Sequence, residues 1–169
     1  MLVQFGRCRT RHCFRKYVRG IDVVLVSITR LRVRLRRHLL PFGWQILLTA
    51  RQAQRAPGFL GGKLIIDAKK TFWTITAWND GAAMSAYRNV GPHRRVMPKL
   101  LTWCDEASVV HWEQEGSALP DLKEAHRRMV GAEARPSKVS HPSSAHLAGQ
   151  IAEPRSRIPE RVLKPLESK

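Results

Sequence analysis

The sequence predicts an α+β domain in which four β-strands and two helical regions alternate over residues 21–116. Three observations carry this prediction: four segments rich in β-branched and aromatic residues, helical segments with apolar residues at three- and four-residue spacing, and Gly or Pro at the boundaries. A chain of 169 residues is long enough for one domain with a well-formed core and short for two typical ones.

The first predicted strand covers residues 21–33, a segment rich in β-branched residues that contains neither Gly nor Pro. Its apolar side chains fall on both faces, which is typical of a central strand covered on both sides. A helix should follow, because Pro41 suits a first helical turn and apolar residues recur at helical spacing after it. The breaker APG at residues 56–58 ends that helix.

A β-hairpin is predicted next. Residues 58–67 form its first strand and residues 71–78 its second, and only a short polar link joins the two. Side chains alternate between the two faces along a strand, so Trp73 and Trp78 point to opposite sides of the sheet.

Two short helices and a last strand complete the predicted domain. Asp80 is an N-cap signal for a helix over residues 81–90. A Gly-Pro pair separates this helix from a second one, predicted over residues 93–104, whose apolar residues again recur at helical spacing. The fourth strand is predicted over residues 107–114.

These elements follow the order β-α-β-β-α-β, which is that of the ferredoxin-like fold: a four-stranded antiparallel sheet with helices on one face. The other face of the sheet is also apolar and needs a cover. A second copy of the chain supplies this cover in folds that close a barrel between two sheets. The sequence therefore predicts a homodimer in the form of a dimeric α/β barrel.

The two ends of the chain differ from the domain. Residues 1–20 hold six Lys or Arg and no Asp or Glu, within a net charge of +17, and are predicted to be a disordered basic leader without a secretory signal. Residues 117–132 are predicted to be a C-terminal helix, and residues 133–169 a disordered tail rich in Pro, Ser and charge. No apolar stretch approaches the ~20 residues of a transmembrane helix, so a cytoplasmic protein is expected.

Five motifs carry a resemblance to a known family. They are APGFLG at residues 56–61, FWTITAWND at 72–80, MSAYRN at 84–89, GPHRRVMPKL at 91–100 and WCDEA at 103–107. With these motifs, residues 23–114 resemble the dimeric α/β-barrel superfamily that includes antibiotic-biosynthesis monooxygenases, and in particular short bacterial proteins related to spheroidene monooxygenase. The resemblance implies a monooxygenase-like enzyme for a hydrophobic small molecule, a carotenoid or an aromatic compound, with haem or with no cofactor.

In barrels of this kind the pocket lies between the sheet and its helices. The resemblance makes His93 a candidate general base or axial haem ligand, and His111 a candidate catalytic histidine within the pocket. Aromatic and soft side chains would bind the substrate; the candidates are Trp73, Trp78, Tyr87, Met97 and Trp112. Only one of the two tryptophans of the third strand can face this pocket, and His111 and Trp112 face opposite ways.

Structural roles explain the same residues. His93 can hydrogen-bond locally at its helix start, His111 can be a core or interface histidine, and the aromatic residues can be core or dimer packing. The alternative function is therefore a non-catalytic ligand-binding or structural dimer.

Nucleic-acid binding is a third hypothesis. It rests on basic patches that could contact phosphate; these are the alternating Arg30, Arg32, Arg34 and Arg36, and the run at residues 93–95. The hypothesis is disfavoured because the predicted sheet lacks the paired surface aromatics of RNA-binding sheets. No metal site is predicted, since Cys8, Cys13 and Cys104 have neither zinc-finger nor disulfide-framework spacing.

Overall fold

A computed structural model describes residues 22–155 and 159–166, so the predicted leader over residues 1–20 lies outside the described residues. The elements in chain order are β1 (Val23–Val33), α1 (Leu39–Gln54), β2 (Phe59–Asp67), β3 (Thr71–Trp78), α2 (Gly81–Arg88), α3 (Gly91–Trp103), β4 (Cys104–Glu115), α4 (Leu122–Val130), β5 (Arg135–Pro136), α5 (Ser144–Leu147) and β6 (Arg161–Leu163). None of the described helices is both long and apolar enough to cross a membrane.

The four predicted strands form the centre of the sheet, in the order β4-β1-β3-β2. β1 lies between β3 and β4 and pairs antiparallel with both, so that Ile28 is opposite Ile75 on one side and Val110 on the other. An antiparallel sheet with the element order β-α-β-β-α-β is that of the ferredoxin-like fold. This part of the prediction is confirmed.

The sheet has six strands among the described residues, not the predicted four. β5 pairs with β4 and β6 pairs with β2, so one short strand is added at each edge. Both added strands come from residues 133–169, which the sequence predicts to be disordered. The edges of a sheet present unpaired N–H and C=O groups, and these give short polar segments of the chain a hydrogen-bonding partner.

Helices α1, α2 and α3 cover one face of the sheet, here called the front face. Phe42 of α1 packs on Phe72 of β3, with ring centroids 4.7 Å apart. Met84 is the buried residue of α2, and Val96 that of α3. The helical layer therefore contacts the sheet at a few anchoring side chains, and space remains above the central strands.

The chain's own C-terminal part covers the opposite face, here called the back face. Bulky apolar residues of the central strands fill this face; they include Val26, Ile28, Trp73, Ile75 and Val110. Ala125 and Met129 of α4 are buried against them, and Leu119 and Ile151 pack at the margin. The cover that the sequence assigns to a second copy is thus supplied in cis, and a dimeric barrel closed through this face would require displacement of α4.

Candidate functional site

A cavity of about 230 Å³ lies between the front face of the sheet and helices α1, α2 and α3. Side chains from β1, β3 and β4 form its floor, and side chains from the three helices form its walls. Residues 137–139, beyond β5, also line it. The lining is mostly apolar, and the cavity lies where the resemblance implies a pocket.

Small side chains on the central strands create this space. Four of them carry hydroxyl groups: Ser27 and Thr29 on β1, and Thr74 and Thr76 on β3. On the back face the same strands carry Val, Ile and Trp, which fill the space that they face. The Thr76 hydroxyl donates to the carbonyl of Ser27 at 3.4 Å and accepts from Nε1 of Trp78 at 3.0 Å. The floor therefore carries a row of hydroxyl groups beneath an apolar space, and that of Thr76 is held by two hydrogen bonds.

Stacked rings form one wall of the cavity. The ring centroids of Trp78 and Tyr87 are 5.0 Å apart with an interplanar angle of 30°, and those of Tyr87 and His93 are 4.8 Å apart. Burial raises the pKa of Tyr87 well above its usual range, outweighing the hydrogen bond that its hydroxyl donates to the carbonyl of Thr49. Tyr87 is thus a neutral phenol, and this wall suits the stacking of a flat ligand.

His93 is fixed at the start of α3. Its backbone N–H donates to Oε1 of Gln52 at 2.9 Å, and its ring Nδ1 lies 3.3 Å from the carbonyl oxygen of Arg88. Because a carbonyl only accepts, this contact places the ring proton on Nδ1 and leaves Nε2 as the acceptor. Burial lowers the pKa of His93, so its imidazole is neutral at pH 7 and can accept a proton or a hydrogen bond.

His111 lines the same cavity from β4, opposite Ser27 of β1. Its Nδ1 is buried and has no hydrogen-bond partner within the described residues. Burial, and then the positive charges of Arg88 and Arg135, lower the pKa of His111, so this imidazole is also neutral at pH 7. A buried ring nitrogen without a partner costs stability, and His111 is therefore the group that a polar atom of a ligand would engage.

Five of the seven predicted site residues line this cavity; they are Trp78, Tyr87, His93, Met97 and His111. The other two, Trp73 and Trp112, do not, because the alternation of side chains along β3 and β4 turns them to the back face. Trp73 is fully buried there with the guanidinium of Arg30 over its ring at 5.7 Å. Trp112 carries the guanidinium of Arg128 over its ring at 4.6 Å.

Sequence reasoning missed two parts of the site. The alternating threonines of TFWTITAW mark a polar stripe on one face of β3, and this signal could have identified the hydroxyl floor. The segment 137–139 is held by backbone hydrogen bonds: the N–H of Ser137 donates to Ala107 at 2.9 Å, and that of Ser140 to Leu101 at 2.7 Å. Its polar composition gives no signal of this contact.

Arg30 and Arg32, the part of the predicted arginine stripe that lies on β1, do not form a solvated basic face, whereas Arg34 and Arg36 are exposed. Arg30, which is 4% exposed, and Arg32 turn toward the back face, where they contact the carboxylate of Glu106 at 2.7 and 2.8 Å. These two arginines are therefore closed to a nucleic acid. Among the described residues, no group of three or more His, Cys, Asp or Glu could hold a metal ion, and Cys104 is a buried free thiol.

No protein-family model and no curated protein matches the chain. A solved structure of a protein of unknown function from Nitrosomonas europaea is similar to 60% of this chain over 99% of its own length, with 16% identity and a TM-score of 0.49. An antibiotic biosynthesis monooxygenase is similar to 57% of this chain over 99% of its length, with 17% identity and a TM-score of 0.45. A variant of SnoaB, a cofactor-independent oxygenase from Streptomyces nogalater, is similar to 59% of this chain over 99% of its length, with 22% identity and a TM-score of 0.41. These values assign the chain to no family, and its ferredoxin-like order rests on its own strand pairing.

Proposed function

We propose that this chain is a monooxygenase-like enzyme that oxidises a compact, flat, apolar molecule in the cavity of the front face. The buried and unpartnered Nδ1 of His111 in a mostly apolar cavity is the observation that carries the proposal. Such a nitrogen favours a ligand that brings one polar group, such as a phenol or an enolisable ketone, into apolar surroundings. The motifs at residues 56–61 and 72–80 supply the reaction class by resemblance.

The volume of the cavity limits the size of the substrate. Pockets for drug-sized ligands measure about 300–1,000 Å³, whereas this cavity measures about 230 Å³. A compact aromatic molecule is therefore favoured over a carotenoid, most of which would lie outside the walls. Haem does not fit for the same reason, so His93 is not assigned as an axial ligand and the proposed reaction uses no haem.

Two neutral imidazoles define the chemistry. His111 would remove a proton from an acidic O–H or CH₂ group of the substrate, and neutral His93 would accept a hydrogen bond, while the aromatic wall and the hydroxyl floor hold the ring system in place. The resulting carbanion gives its electrons to O₂. For a CH₂ group the overall change is R₂CH₂ + O₂ → R₂C=O + H₂O. The substrate supplies all the electrons, so no added reductant is needed.

Oxygen uptake with a compact aromatic ketone tests this proposal. Anthrone, which carries an acidic CH₂ group between two rings, is the probe. We expect catalysed uptake by the wild type and a loss of about tenfold or more in His111→Gln, because a general base typically contributes about 10²–10⁴-fold.

His141→Gln is the matched control, since His141 is exposed and does not line the cavity. It should retain the wild-type rate. Uptake no faster than in protein-free buffer, or equal rates in all three proteins, would contradict the proposal.

A non-catalytic binding protein is the second candidate, because the unpartnered Nδ1 of His111 can accept a hydrogen bond from a bound ligand without any proton transfer. This candidate predicts saturable binding of anthrone under anaerobic conditions together with no catalysed uptake of oxygen.

A further inference from the structure

A second cavity lies on the back face, and its lining is more polar and more charged than that of the first. Its volume is about 410 Å³. The ends of the central strands form one side, and residues between 145 and 155 of the C-terminal segment form the other. Four basic and three acidic side chains line it, so its charges nearly balance with a small positive excess.

The carboxylate at the centre of this cavity is already engaged. Oε2 of Glu106 contacts Arg30 at 2.7 Å, and Oε1 contacts Arg32 at 2.8 Å and accepts from the hydroxyl of Ser143 at 3.0 Å. Arg32 also donates to both oxygens of Asp105, at 2.8 and 2.9 Å. Glu106 and Arg32 are therefore satisfied within the protein.

Two buried donors of the cavity are not satisfied. Nε of Arg30 and Oγ1 of Thr71 have no hydrogen-bond partner within the described residues. Both side chains line the cavity, and they are 4% and 0% exposed. The register places Arg32 opposite Thr71, so Arg30 lies diagonally across the strand pair on the same face. Diagonal neighbours are about 7–8 Å apart, within reach of one small ligand.

We propose that this cavity binds a small oxyanion, in the form of a carboxylate or phosphate group. Nε–H of Arg30 only donates, and the hydroxyl of Thr71 is free to donate, so the missing partner is an acceptor. An anionic acceptor makes a charge-assisted hydrogen bond to the guanidinium, which is stronger than a neutral one. The other buried acid, Asp67, accepts from the backbone N–H of Arg155 at 3.2 Å, and the small positive excess of the lining favours a negative ligand.

The site depends on the C-terminal segment, because residues between 145 and 155 supply one of its walls. A ligand that binds only the folded, covered state stabilises that state by mass action. A bound oxyanion therefore holds the segment against the sheet.

Thr71→Val tests the site without disturbing its charges. The substitution keeps the volume of the side chain and removes a buried hydroxyl that has no partner, so it should not lower the Tm. Wild type and variant are titrated with inorganic phosphate and, separately, with acetate, at an ionic strength held constant with NaCl. Calorimetry gives the affinity, and the ¹⁵N signal of Nε–H of Arg30 reports contact.

For the wild type we expect saturable binding of at least one probe and a shift of the Arg30 signal. The affinity of Thr71→Val should be lower by about tenfold or more, as for a lost hydrogen bond to a charged group. Thr74→Val is the matched control, because it makes the same change on the same strand but faces the front cavity. It should bind the probe as the wild type does.

Equal affinities of the wild type and Thr71→Val would mean that the anion is attracted non-specifically by the net charge of +17. This result would overturn the proposed site. An unshifted Arg30 signal with no saturable binding of either probe would overturn it as well. Arg30→Lys keeps the charge and removes the guanidinium fork. Its affinity should also fall, and an unchanged affinity would contradict the proposal.

Discussion

The two faces of the central sheet differ in side-chain volume although they share the same strands. On β3, Thr74 and Thr76 face the front and leave a cavity. Trp73 and Ile75, which alternate with them along the strand, face the back and fill a core. The backbone is common to both faces. The difference between cavity and core therefore comes only from the alternation of small and large side chains along the strand. One face leaves space for a ligand, and the other gains its stability from α4 and the segment that follows.

The largest expected effect concerns the back face. Met129 of α4 is 1% exposed and packs into the apolar cluster of that face. We expect Met129→Ala to lower the free energy of unfolding by about 2–4 kcal/mol, because truncation of a buried side chain leaves a cavity. Denaturant unfolding followed by circular dichroism measures the change.

The neighbouring residue gives the control for this prediction. Val130 is 54% exposed, and Val130→Ala should change the free energy of unfolding by less than about 0.5 kcal/mol. Equal effects of the two substitutions would mean that α4 does not form the cover of the back face.

A smaller effect is expected on the front face. Nε1 of the buried Trp78 donates to the hydroxyl of Thr76 at 3.0 Å. Thr76→Val would leave this N–H without a partner and should lower the free energy of unfolding by about 1–3 kcal/mol. Thr74→Val, also on the floor of the cavity, serves as the control and should be close to neutral. If thermal unfolding gives the same loss for both variants, the Thr76–Trp78 hydrogen bond does not support the aromatic wall.

The smallest effect is the dependence of stability on pH. Burial lowers the pKa of His93 and of His111 below their ordinary value of 6.5. The unfolded chain therefore binds protons that the folded chain does not, and the free energy of unfolding falls as the pH drops below 6.5 toward the lowered values. Replacing both histidines with Gln should flatten the fall of Tm with decreasing pH. A fall as steep as that of the wild type would show that other groups cause it.

The central strands are predictable from the sequence, whereas the C-terminal cover is not. Each central strand carries a run of β-branched or aromatic residues, which is a local signal. Ile151 and Leu163 instead contribute single apolar side chains from polar surroundings, a composition that is typical of disorder. Leu163 is buried and Ile151 partly buried because the folded sheet offers an edge and a face, and no local pattern contains that information.

The candidate site is predictable only in part, for a related reason. Alternation requires one of Trp73 and Trp78 to leave the front face, but it does not say which one, since it does not tell which face of β3 the helices cover. The second cavity is not predictable at all. Arg30 belongs to a stripe that resembles a solvated face until the C-terminal segment covers it.

The central claim is that the front face binds an apolar molecule, while the apolar residues of the back face around Ile28 and Ile75 form a filled core. Intermolecular NOEs between anthrone and the methyl-labelled protein, recorded under anaerobic conditions, test this claim most directly. We predict NOEs from the ligand to the methyl groups of Thr29, Thr74 and Thr76, which line the front cavity, and none to those of Ile28 and Ile75, which lie in the back-face core. NOEs to the two isoleucines, or none to the threonines, would contradict the account.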